Sequence, residues 1–579
     1  MRIVILQSAG QIKHYFEKKR QANDLVIPIG PIAMFYSDMY EWKTCSLCDL
    51  WTSKDYDQAR DESQARIDSL IDALDVYSKE WNSDIDLEIG RYYAFQIFGL
   101  VGHLHYNYYI AHSIASRFQS VPVLIYTKDI EQASSELNPD PDCIFARVAF
   151  NSGCFKNDRI EIQKVSENRA TNTIREFFIN ALPHELLMQL RNIRSKWRIR
   201  NFGRTACRLL LIGGEYDWIK ISRYKRFKKI FSFHVIPHLV ASIKGSPPKK
   251  LVDILNCSVE FTKNVVFDME SIASSIYADM LLYAEKNEEI HNKLKQYDAI
   301  VTAVLTNPFE NYLAHTAAKI NKPVIVWQHG EKGQAQDVTV LYTELFYATD
   351  YLTYGTAVTE QYRSWIDKNR LVNVETVGSL GKRVNWSGEG SIVYATGKWF
   401  TTSVPFSSMS DPDTRLYRAH KTILDYLDTI AAGHSVIFKA NNTLGANTIP
   451  YNYAHVCIDY STPFTELLNT ASVIILDTPA TTLVESCSTN VPIFVLDGRT
   501  KYLPDFLNKI KRRVVWCDTP SELVTKLAAY LSKGTYDADV TDDSYLREYC
   551  ASTESSEVIL KVKESLLSVI DRSRNAGMR

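Results

Sequence analysis

Short apolar runs alternate with helix-like segments along much of this chain, and this alternation constrains the fold most. Between residues 298 and 327, DAIVTAVL predicts a strand, NPFENYLAHTAAKI a helix and KPVIVW a second strand. A strand, a helix and a strand in this order form a βαβ unit, which requires a parallel sheet and a right-handed crossover. The sequence therefore predicts an α/β protein.

A second alternation begins after residue 390 and predicts a self-contained, doubly wound domain. Its strands are predicted at 391–396, 434–440, 455–459, 471–477, 491–497 and 512–518, with helices at 414–432, 464–471 and 480–490. The preceding residues 377–391 are rich in glycine, serine and charge, which predicts a linker. We therefore expect an amino-terminal α/β domain with helical insertions over 1–385, a carboxyl-terminal α/β domain over 386–545, and a final helix over 546–579.

Length and composition limit the number of domains, the partners and the location that are expected. A chain of 579 residues is too long for one ordinary core, so two or three domains are expected. The formal net charge of -1 creates no global positive field, and we expect no nucleic-acid partner. The ten cysteines form no disulfide-like framework, the first residues favour a strand over a signal peptide, and no apolar run is long enough to span a membrane. A cytoplasmic location is expected.

Polar residues follow the second strand of the βαβ unit directly. Gln328, His329 and Gly330 come after the apolar run that ends at Trp327. Open α/β sheets bind ligands beyond the carboxyl ends of their strands, and glycine lets a ligand approach the backbone closely. His329 is therefore a candidate catalytic residue, and Gln328 and Gly330 are candidates for ligand binding. The alternative is a turn that simply ends the strand.

Two carboxylates are further candidates for a catalytic base or nucleophile. Asp217 follows the glycine pair after a strand predicted at 208–214, and Glu310 opens a helix directly after the strand at 298–305. A carboxylate in a partly buried cleft can have its pKa raised enough to exchange protons near neutral pH. For Glu310 the alternative is a first-turn glutamate that stabilises its helix dipole.

The segment ASVIILDTPATTLVESCSTNVPIFVLD, residues 471–497, predicts a strand, a turn of small residues, a helix with an early glutamate, and a strand. It resembles the donor-binding segment of GT-B nucleotide-sugar transferases, in which two Rossmann-like domains face a cleft and a final helix follows. The amino end of such a helix attracts phosphate, and the hydroxyl groups of Thr478, Thr481 and Thr482 add donors there. Glu485 is placed to accept from ribose hydroxyls. The alternative is a helix capped by Thr481 beside a surface glutamate.

Two further elements extend this resemblance over about residues 298–500. IFKANNT, residues 437–443, is similar to the strand-Lys-x-His-Pro element of bacterial sialyltransferase-like and other capsule transferases, in which the histidine contacts the nucleotide phosphate. Here Asn441 stands at the histidine position and no proline follows at once, but Lys439 and Asn441 can still donate to a phosphate. The Gln-His-Gly strand end resembles the His-Gly element of bacterial surface-polysaccharide enzymes, which places His329 at the cleft between the domains.

The resemblance implies a glycosyltransferase of bacterial surface-polysaccharide assembly, which moves a sugar from a nucleotide donor to a glycan or a lipid-linked acceptor. The arrangement of Lys439, Asn441 and the threonines favours a CMP-activated ulosonic acid such as Kdo or a sialic-acid-like sugar. No Asp-x-Asp motif follows a strand of the carboxyl-terminal domain, so we expect no metal and no cofactor besides the nucleotide-sugar co-substrate. The alternatives are an isomerase like the nucleotide-sugar 2-epimerases, and a non-catalytic RNA- or lipid-binding protein.

A basic segment at residues 191–229 suggests a membrane partner. It holds thirteen lysines and arginines against two acids, Glu215 and Asp217, with aromatic residues interleaved. Such a patch can hold an anionic membrane surface or a diphosphate-linked lipid acceptor, which would place the protein at the inner face of the cell membrane. The alternative is a solvated face whose long side chains cover apolar surface.

Overall fold

The computed structural model describes most of the chain and contains three parallel sheets within the described part. The described residues are 1–127, 141–156, 159–165, 207–214, 216–237, 239, 246–257, 268–330, 332–335, 339–366, 373–380, 390–397, 399, 413–440, 449–497, 500–550 and 555–576. Every pair of neighbouring strands in these sheets is parallel. The α/β class predicted from the alternating pattern is confirmed.

The first sheet has four strands in the order β2-β1-β3-β4. Its strands are β1 (Arg2–Leu6), β2 (Asp24–Pro28), β3 (Val123–Thr127) and β4 (Ile160–Lys164). Its helices are α1 (Ala9–His14), α2 (Pro31–Met39), α3 (Leu47–Leu50), α4 (Ser53–Trp81), α5 (Ile89–Tyr92), α6 (Ala94–Arg117) and α7 (Pro141–Asn151), with a π-helical turn at Tyr15–Lys19. We call the described residues from 1 to 165 the first unit.

The second sheet has six strands in the order β10-β9-β8-β7-β5-β6. Its strands are β5 (Cys207–Leu211), β6 (Phe231–His234), β7 (Ala299–Thr302), β8 (Val324–Trp327), β9 (Asp350–Thr353) and β10 (Asn373–Thr376). Its helices are α8 (Tyr216–Ser222), α9 (Lys225–Lys228), α10 (Lys249–Cys257), α11 (Met269–Leu294), α12 (Pro308–Lys319) and α13 (Thr356–Ile366), with a π-helical turn at Leu341–Leu345. We call the described residues from 207 to 380 the second unit.

The third sheet also has six strands, in the order β13-β12-β11-β14-β15-β16. Its strands are β11 (Ser391–Ala395), β12 (Val436–Lys439), β13 (Cys457–Asp459), β14 (Ala471–Leu476), β15 (Ile493–Leu496) and β16 (Val515–Cys517). Its helices are α14 (Asp413–Ile430), α15 (Phe464–Leu468), α16 (Thr481–Cys487), α17 (Pro504–Arg513) and α18 (Pro520–Lys533), followed by a π-helical turn at Leu546–Cys550. We call the described residues from 390 to 550 the third unit.

Both six-stranded sheets are doubly wound, as the sequence predicts. In the second sheet the strand order reverses between β5 and β7, and in the third it reverses between β11 and β14. Side chains of β8 alternate between cores on the two sheet faces, so this strand is buried along its whole length. Ligands of such sheets bind at the carboxyl ends of the strands where the order reverses.

The expected amino-terminal domain over 1–385 contains two of the three sheets. The first unit has apolar clusters of its own around β1 and β3, and its strands pair only with one another among the described residues. The sequence predicted β1 and β3 but gave no sign that they form a separate sheet, because strand pairing is decided by contacts far apart in the chain. The predicted linker at 377–391 lies largely outside the described residues.

The first unit packs against both of the others. Helices α4 and α6 share one large apolar cluster with α11 and α12 of the second unit. Helix α2 packs against α14 of the third unit, where Met34 joins a cluster with Trp399, Leu416 and Tyr417. The Tyr417 hydroxyl also donates to Asp38 at 3.0 Å. The first unit therefore bridges the two six-stranded units.

The final helix, α19 (Ser555–Ala576), returns to the second unit although it follows the third in sequence. Its apolar side packs with residues of β5, β7 and β8. Arg572 and Arg574 pair with Asp350 and Asp298 at 2.7 Å each. The helix therefore ties the third unit back to the second. No helix in the described part of the chain is long and apolar enough to cross a membrane.

Truncation of one buried leucine of α19 tests this packing. Leu566 is fully buried in the shared cluster, so Leu566→Ala should lower the free energy of unfolding by about 2–5 kcal/mol. Leu560 lies on the same helix and is 48% exposed, so Leu560→Ala should change it by no more than about 0.5 kcal/mol. Urea titration of both variants makes the comparison. Equal losses would show that α19 does not pack on the second sheet in solution.

Candidate functional site

The carboxyl edges of the second and third sheets meet at Gly330, which follows β8. Gly330 has a φ of +68°, and a Cβ built on it would lie 3.5 Å from Oγ1 of Thr481 at the start of α16. Four residues later, Gln334 donates to the Tyr545 hydroxyl at 2.7 Å, and Ala335 forms a bridge with Tyr502. The end of β8 therefore reaches directly into the third unit.

Gln328 fixes the two strand ends on this side of the cleft. It is 2% exposed, and its side-chain Oε1 accepts from the backbone N–H of Tyr354 at 2.8 Å. Its Nε2 donates to the carbonyl of Gly330 at 3.0 Å. Both ends of the amide therefore brace the loops after β8 and β9. The structure places Gln328 beneath the edge of the sheet, where it holds Gly330 in position.

Asp217 is joined to the same edge through Tyr354. The Tyr354 hydroxyl donates to Oδ2 of Asp217 at 2.7 Å, and Lys220 contacts Oδ1 at 2.7 Å. Burial and the negative charge of Asp217 raise the pKa of Tyr354 well above its usual value, so this hydroxyl remains a donor. Asp217 is 8% exposed and lies in the first turn of α8, after the strand β5.

A tight backbone approach places α8 at this edge. Gly213 has a φ of +64°, and a Cβ built on it would lie only 2.0 Å from the carbonyl oxygen of Val304. Only glycine fits such a crossing without a backbone shift. The loops after β5 and β7 are therefore in direct contact where the strand order of the second sheet reverses, which explains why a glycine stands at position 213.

Glu485 of the third unit lies near Lys220 of the second. Burial raises the pKa of Glu485, while the positive charge of Lys220 opposes that rise. The Lys220 side chain is 65% exposed, so water screens its charge and burial dominates. The charge of Lys220 therefore acts on both Asp217 and Glu485, which were predicted from different parts of the sequence.

The other two predicted catalytic residues lie at the same carboxyl edge of the second sheet. His329 is half-buried between Gln328 and Gly330, beyond the end of β8. Glu310 is half-buried in the first turn of α12, which follows β7. Asp217 is linked to Gln328 through Tyr354 and to Glu485 through Lys220. Glu310 is not a member of either link.

The threonines predicted to hold a phosphate have different environments. Thr481 is exposed and Thr482 half-buried at the start of α16, and the N-cap residue is Ala480. Thr481 is therefore not the helix cap, which removes that alternative. Thr478 is buried, and its hydroxyl donates to Asp477 at 3.1 Å. It packs against Gly397, on which a Cβ would lie 2.3 Å from Oγ1 of Thr478.

Lys439 ends β12, two strands away from β14 in the third sheet. Its Nζ lies 4.0 Å from Oδ1 of Asp459, and 16% of its side chain is exposed. In this position its ammonium group is near the carboxyl edge of the sheet. Asn441, the other predicted phosphate donor of this loop, lies outside the described residues.

A buried polar network lies beneath the carboxyl ends of β11 and β14. Asp477 accepts from Tyr394 at 2.9 Å, from His420 at 2.8 Å and from the backbone N–H of Gly397 at 3.0 Å. Burial alone would raise the pKa of Asp477, but the charge and hydrogen bond of His420 outweigh it and lower the pKa. The carboxylate therefore stays ionised although it is 2% exposed.

Residues that the sequence did not single out complete the site. They are Lys220, Tyr354, Tyr394, Gly397, His420 and Asp477. Asp477 ends a predicted strand and Gly397 follows one, so their positions alone were a usable signal. His420 lies in the middle of a helix, and its partner Asp477 is 57 residues away, so no local pattern marks it.

The basic segment 191–229 is described only from residue 207 onward, without residue 215. Within that part, Trp218 and Phe227 are fully buried in the core that also holds α19. These two rings therefore pack inside the second unit and are not free to bind a membrane or a glycan. Tyr224 is 42% exposed. Attachment of the segment to an anionic membrane surface stays a prediction.

Possible metal ligands and one further pocket were compared with the cleft in the described part of the chain. Among the described residues, no group of three or more histidine, cysteine, aspartate or glutamate side chains is placed to hold a metal ion. A pocket of about 560 Å³ lies at the opposite, amino-terminal edge of the third sheet. Its lining includes Ser472, Val491, Tyr530 and Tyr536. This pocket does not border the cleft described above.

Comparison with known proteins found no matching family model and no matching curated protein. Among solved structures, UDP-N-acetylglucosamine 2-epimerase from Rickettsia bellii is 12% identical, with a TM-score of 0.38 over 63% of this chain and 98% of that one. Arabidopsis thaliana UGT89C1 complexed with UDP is 12% identical, with a TM-score of 0.36 over 66% and 96% of the two chains. The GtfA/B complex is 12% identical at a TM-score of 0.34, and the match covers 49% of this chain but less than two thirds, 61%, of that one. At this level of similarity, function has to be argued from the site.

The raised pKa of Glu485 predicts a pH dependence of stability. As pH rises above the usual glutamate value of 4.5, the unfolded chain loses this proton before the folded chain does, so stability falls. Glu485→Gln removes that loss. We therefore expect the melting temperature of the variant to rise relative to wild type as the pH increases from about 4 to about 7.

Glu522 provides a control of opposite sign. A hydrogen bond from Lys526 lowers its pKa, so its contribution to stability is present above its usual pKa and is lost as the pH falls. Glu522→Gln should therefore lose melting temperature relative to wild type as the pH rises over the same range. Parallel curves for Glu485→Gln and wild type would contradict the buried, cleft-facing position of Glu485.

Proposed function

We propose that this protein is a glycosyltransferase that moves a sugar from a nucleotide donor to an acceptor in the cleft between the second and third units. The observation that carries the proposal is the approach of Gly330 to Thr481, since it sets the carboxyl edges of two parallel sheets against each other. Parallel sheets bind ligands at these edges, so one cleft receives two substrates from opposite sides.

The donor nucleotide is assigned to the third unit. Its phosphate would lie near the loops after β11, β12 and β14, where Lys439 supplies a cation and Thr481 an exposed hydroxyl group. Thr482 and Asn441 are proposed to add donors. Glu485 would accept hydrogen bonds from the ribose hydroxyls. By the resemblance of its strand-end elements, the preferred donor is a CMP-activated ulosonic acid such as Kdo or a sialic-acid-like sugar.

The second unit would supply the acceptor side and the base. In the transfer step, an acceptor hydroxyl oxygen forms a bond to the anomeric carbon, and the bond from that carbon to the phosphate oxygen breaks. The hydroxyl proton passes to a carboxylate, for which Asp217 is the best-placed candidate and Glu310 the second. The donors Tyr354 and Lys220 orient the Asp217 carboxylate. The nucleotide leaves with its phosphate charge held by Lys439. A surface glycan or a lipid-linked glycan is the proposed acceptor.

A nucleotide screen tests the proposal at its first step. CMP, UDP, GDP and CDP are added separately, and the nucleotide that raises the melting temperature identifies the donor class. Transfer is then assayed with the corresponding nucleotide sugar and a glycan acceptor. Interconversion of a UDP-sugar without any acceptor would instead favour an isomerase. Stabilisation by none of the nucleotides would contradict the proposal.

Replacement of Lys439 should weaken binding of the stabilising nucleotide. If its ammonium group makes a charge-assisted bond to the phosphate, Lys439→Ala should cost roughly 1–3 kcal/mol of binding free energy. Lys526, an ion-paired lysine on α18, serves as the control, and Lys526→Ala should bind nucleotide as wild type does. Calorimetric titration of both variants gives the affinities. Unchanged affinity in a folded Lys439→Ala protein would remove Lys439 from the site.

His329 should matter more for turnover than for folding. It lies past a buried strand at the ligand-binding edge, where an imidazole can donate to the donor phosphate or position the acceptor hydroxyl. His329→Ala should therefore lower the rate by about 10²-fold or more, with a nearly unchanged melting temperature. His434 is exposed before β12, at the far edge of the third sheet, and His434→Ala is the control. A His329→Ala protein that melts early but turns over normally would show that this histidine only shapes a turn.

A further inference from the structure

His420 touches both strand ends that border the proposed nucleotide crevice. Its Nε2 lies 2.8 Å from Oδ2 of Asp477, which follows β14, and 2.7 Å from Oγ1 of Thr396, which follows β11. These are the two strands between which the order of the third sheet reverses. His420 is 0% exposed, so it does not itself face a ligand.

Asp477 connects His420 to the two loops that border the crevice. While Oδ2 is bonded to His420, Oδ1 accepts from the backbone N–H of Gly397 at 3.0 Å and from the Thr478 hydroxyl at 3.1 Å. Gly397 and Thr478 are packed so closely that a Cβ on Gly397 would overlap the threonine side chain. One carboxylate therefore sets the distance between the two loops, and His420 holds that carboxylate.

The hydrogen bond between His420 and Asp477 also suits the proposed ligand. A buried, ionised Asp477 near a nucleotide phosphate would repel it unless a donor compensates the carboxylate charge. The N–H group of His420 supplies that compensation from below the sheet. A hydrophobic residue of similar size would remove this donor and leave Tyr394 as the remaining donor to Oδ2.

The same histidine connects the crevice to the first unit. Its Nδ1 lies 2.7 Å from the Tyr451 hydroxyl, and the Tyr451 ring is 6.3 Å from the ring of Phe35 on α2. The Trp399 ring, two residues beyond Gly397, is 5.1 Å from His420 and belongs to the cluster with Met34 of α2. A continuous set of contacts therefore runs from α2 to the loops after β11 and β14.

We propose that His420 is a positioning residue for nucleotide binding, which fixes the two crevice loops through Asp477 and links them to helix α2 of the first unit. The proposal rests on the proposed function, since the third unit must bind a nucleotide. His420 acts only through other residues, so its loss should loosen the loops and weaken binding while the sheet stays folded.

Two variants of His420 and one control form the test. His420→Leu removes both nitrogen contacts at similar volume, whereas His420→Gln keeps one N–H donor and one acceptor. Tyr536→Phe is the control, because this hydroxyl bonds the backbone of Ile493 and Arg513 at the opposite edge of the same sheet. Each protein is measured well below its own melting temperature, by calorimetric titration with the nucleotide that stabilises wild type most.

For His420→Leu we expect nucleotide affinity to weaken about tenfold or more. Without His420 the loops after β11 and β14 are held less firmly, so the groups that bind the nucleotide are misplaced. His420→Gln should recover most of the affinity. Tyr536→Phe should lower the melting temperature but bind nucleotide within about twofold of wild type, because its hydrogen bonds lie away from the crevice. Wild-type affinity in folded His420→Leu would overturn the proposal, as would an equal loss of affinity in the Tyr536→Phe control.

Hydrogen exchange separates failure of this inference from failure of the proposed function. In His420→Leu, amide exchange should become faster in peptides that cover residues 394–397 and 477–482, and stay unchanged in 491–497 at the neighbouring strand. If wild type binds none of the four nucleotides, the proposed function is wrong, and the exchange data still decide the structural role. Unchanged exchange at both strand ends would then overturn the inference.

Discussion

The site depends on the face-to-face contact between the carboxyl edges of two parallel sheets. Parallel strands have their carboxyl ends at one edge of the sheet, so the residues that follow these strands border the same space. The close approach of Gly330 to Thr481 brings two such spaces together. Helix α19 supports this arrangement, because it follows the third unit in sequence but buries its apolar side against the second. The chain thus connects the two units twice, once before β11 and once through α19.

The sequence predicted all six strands of the third sheet, including its short edge strands β13 and β16, but missed β2, β4 and β6 at the edges of the other two sheets. Strands β8 and β14 are dense runs of Val and Ile, so they were predicted within one or two residues. By contrast, β4 (Ile160–Lys164) is half-exposed and carries Glu161 and Gln163, and β6 (Phe231–His234) contains Ser232 and His234, so neither is a dense apolar run. The separate first sheet was not predicted either, since the pattern of a strand shows that it exists but not which strand it pairs with.

Some residues of the candidate site could be predicted from the sequence and others could not. Gln328, Gly330 and Thr481 could be predicted because a strand end fixes their place, whatever the tertiary contacts are. Tyr354 and His420 could not, because their importance comes from partners 137 and 57 residues away, respectively. Gln328 was predicted only in part. Its position at a strand end was predicted, but only the structure shows that its amide is used to hold Gly330 and Tyr354.

The first unit packs against both of the units that form the cleft. It shares its largest apolar cluster with the second unit, while α2 contacts the third unit beside the loops after β11. A ligand that orders those loops would also strengthen the packing of Trp399 and Tyr451 against α2, since coupled equilibria are reciprocal. The contact on α2 is small compared with the cluster shared by the first and second units. A second large apolar cluster joins strands β8 and β9 to β14 and β15, so the third unit is held by the second unit as well as by α2.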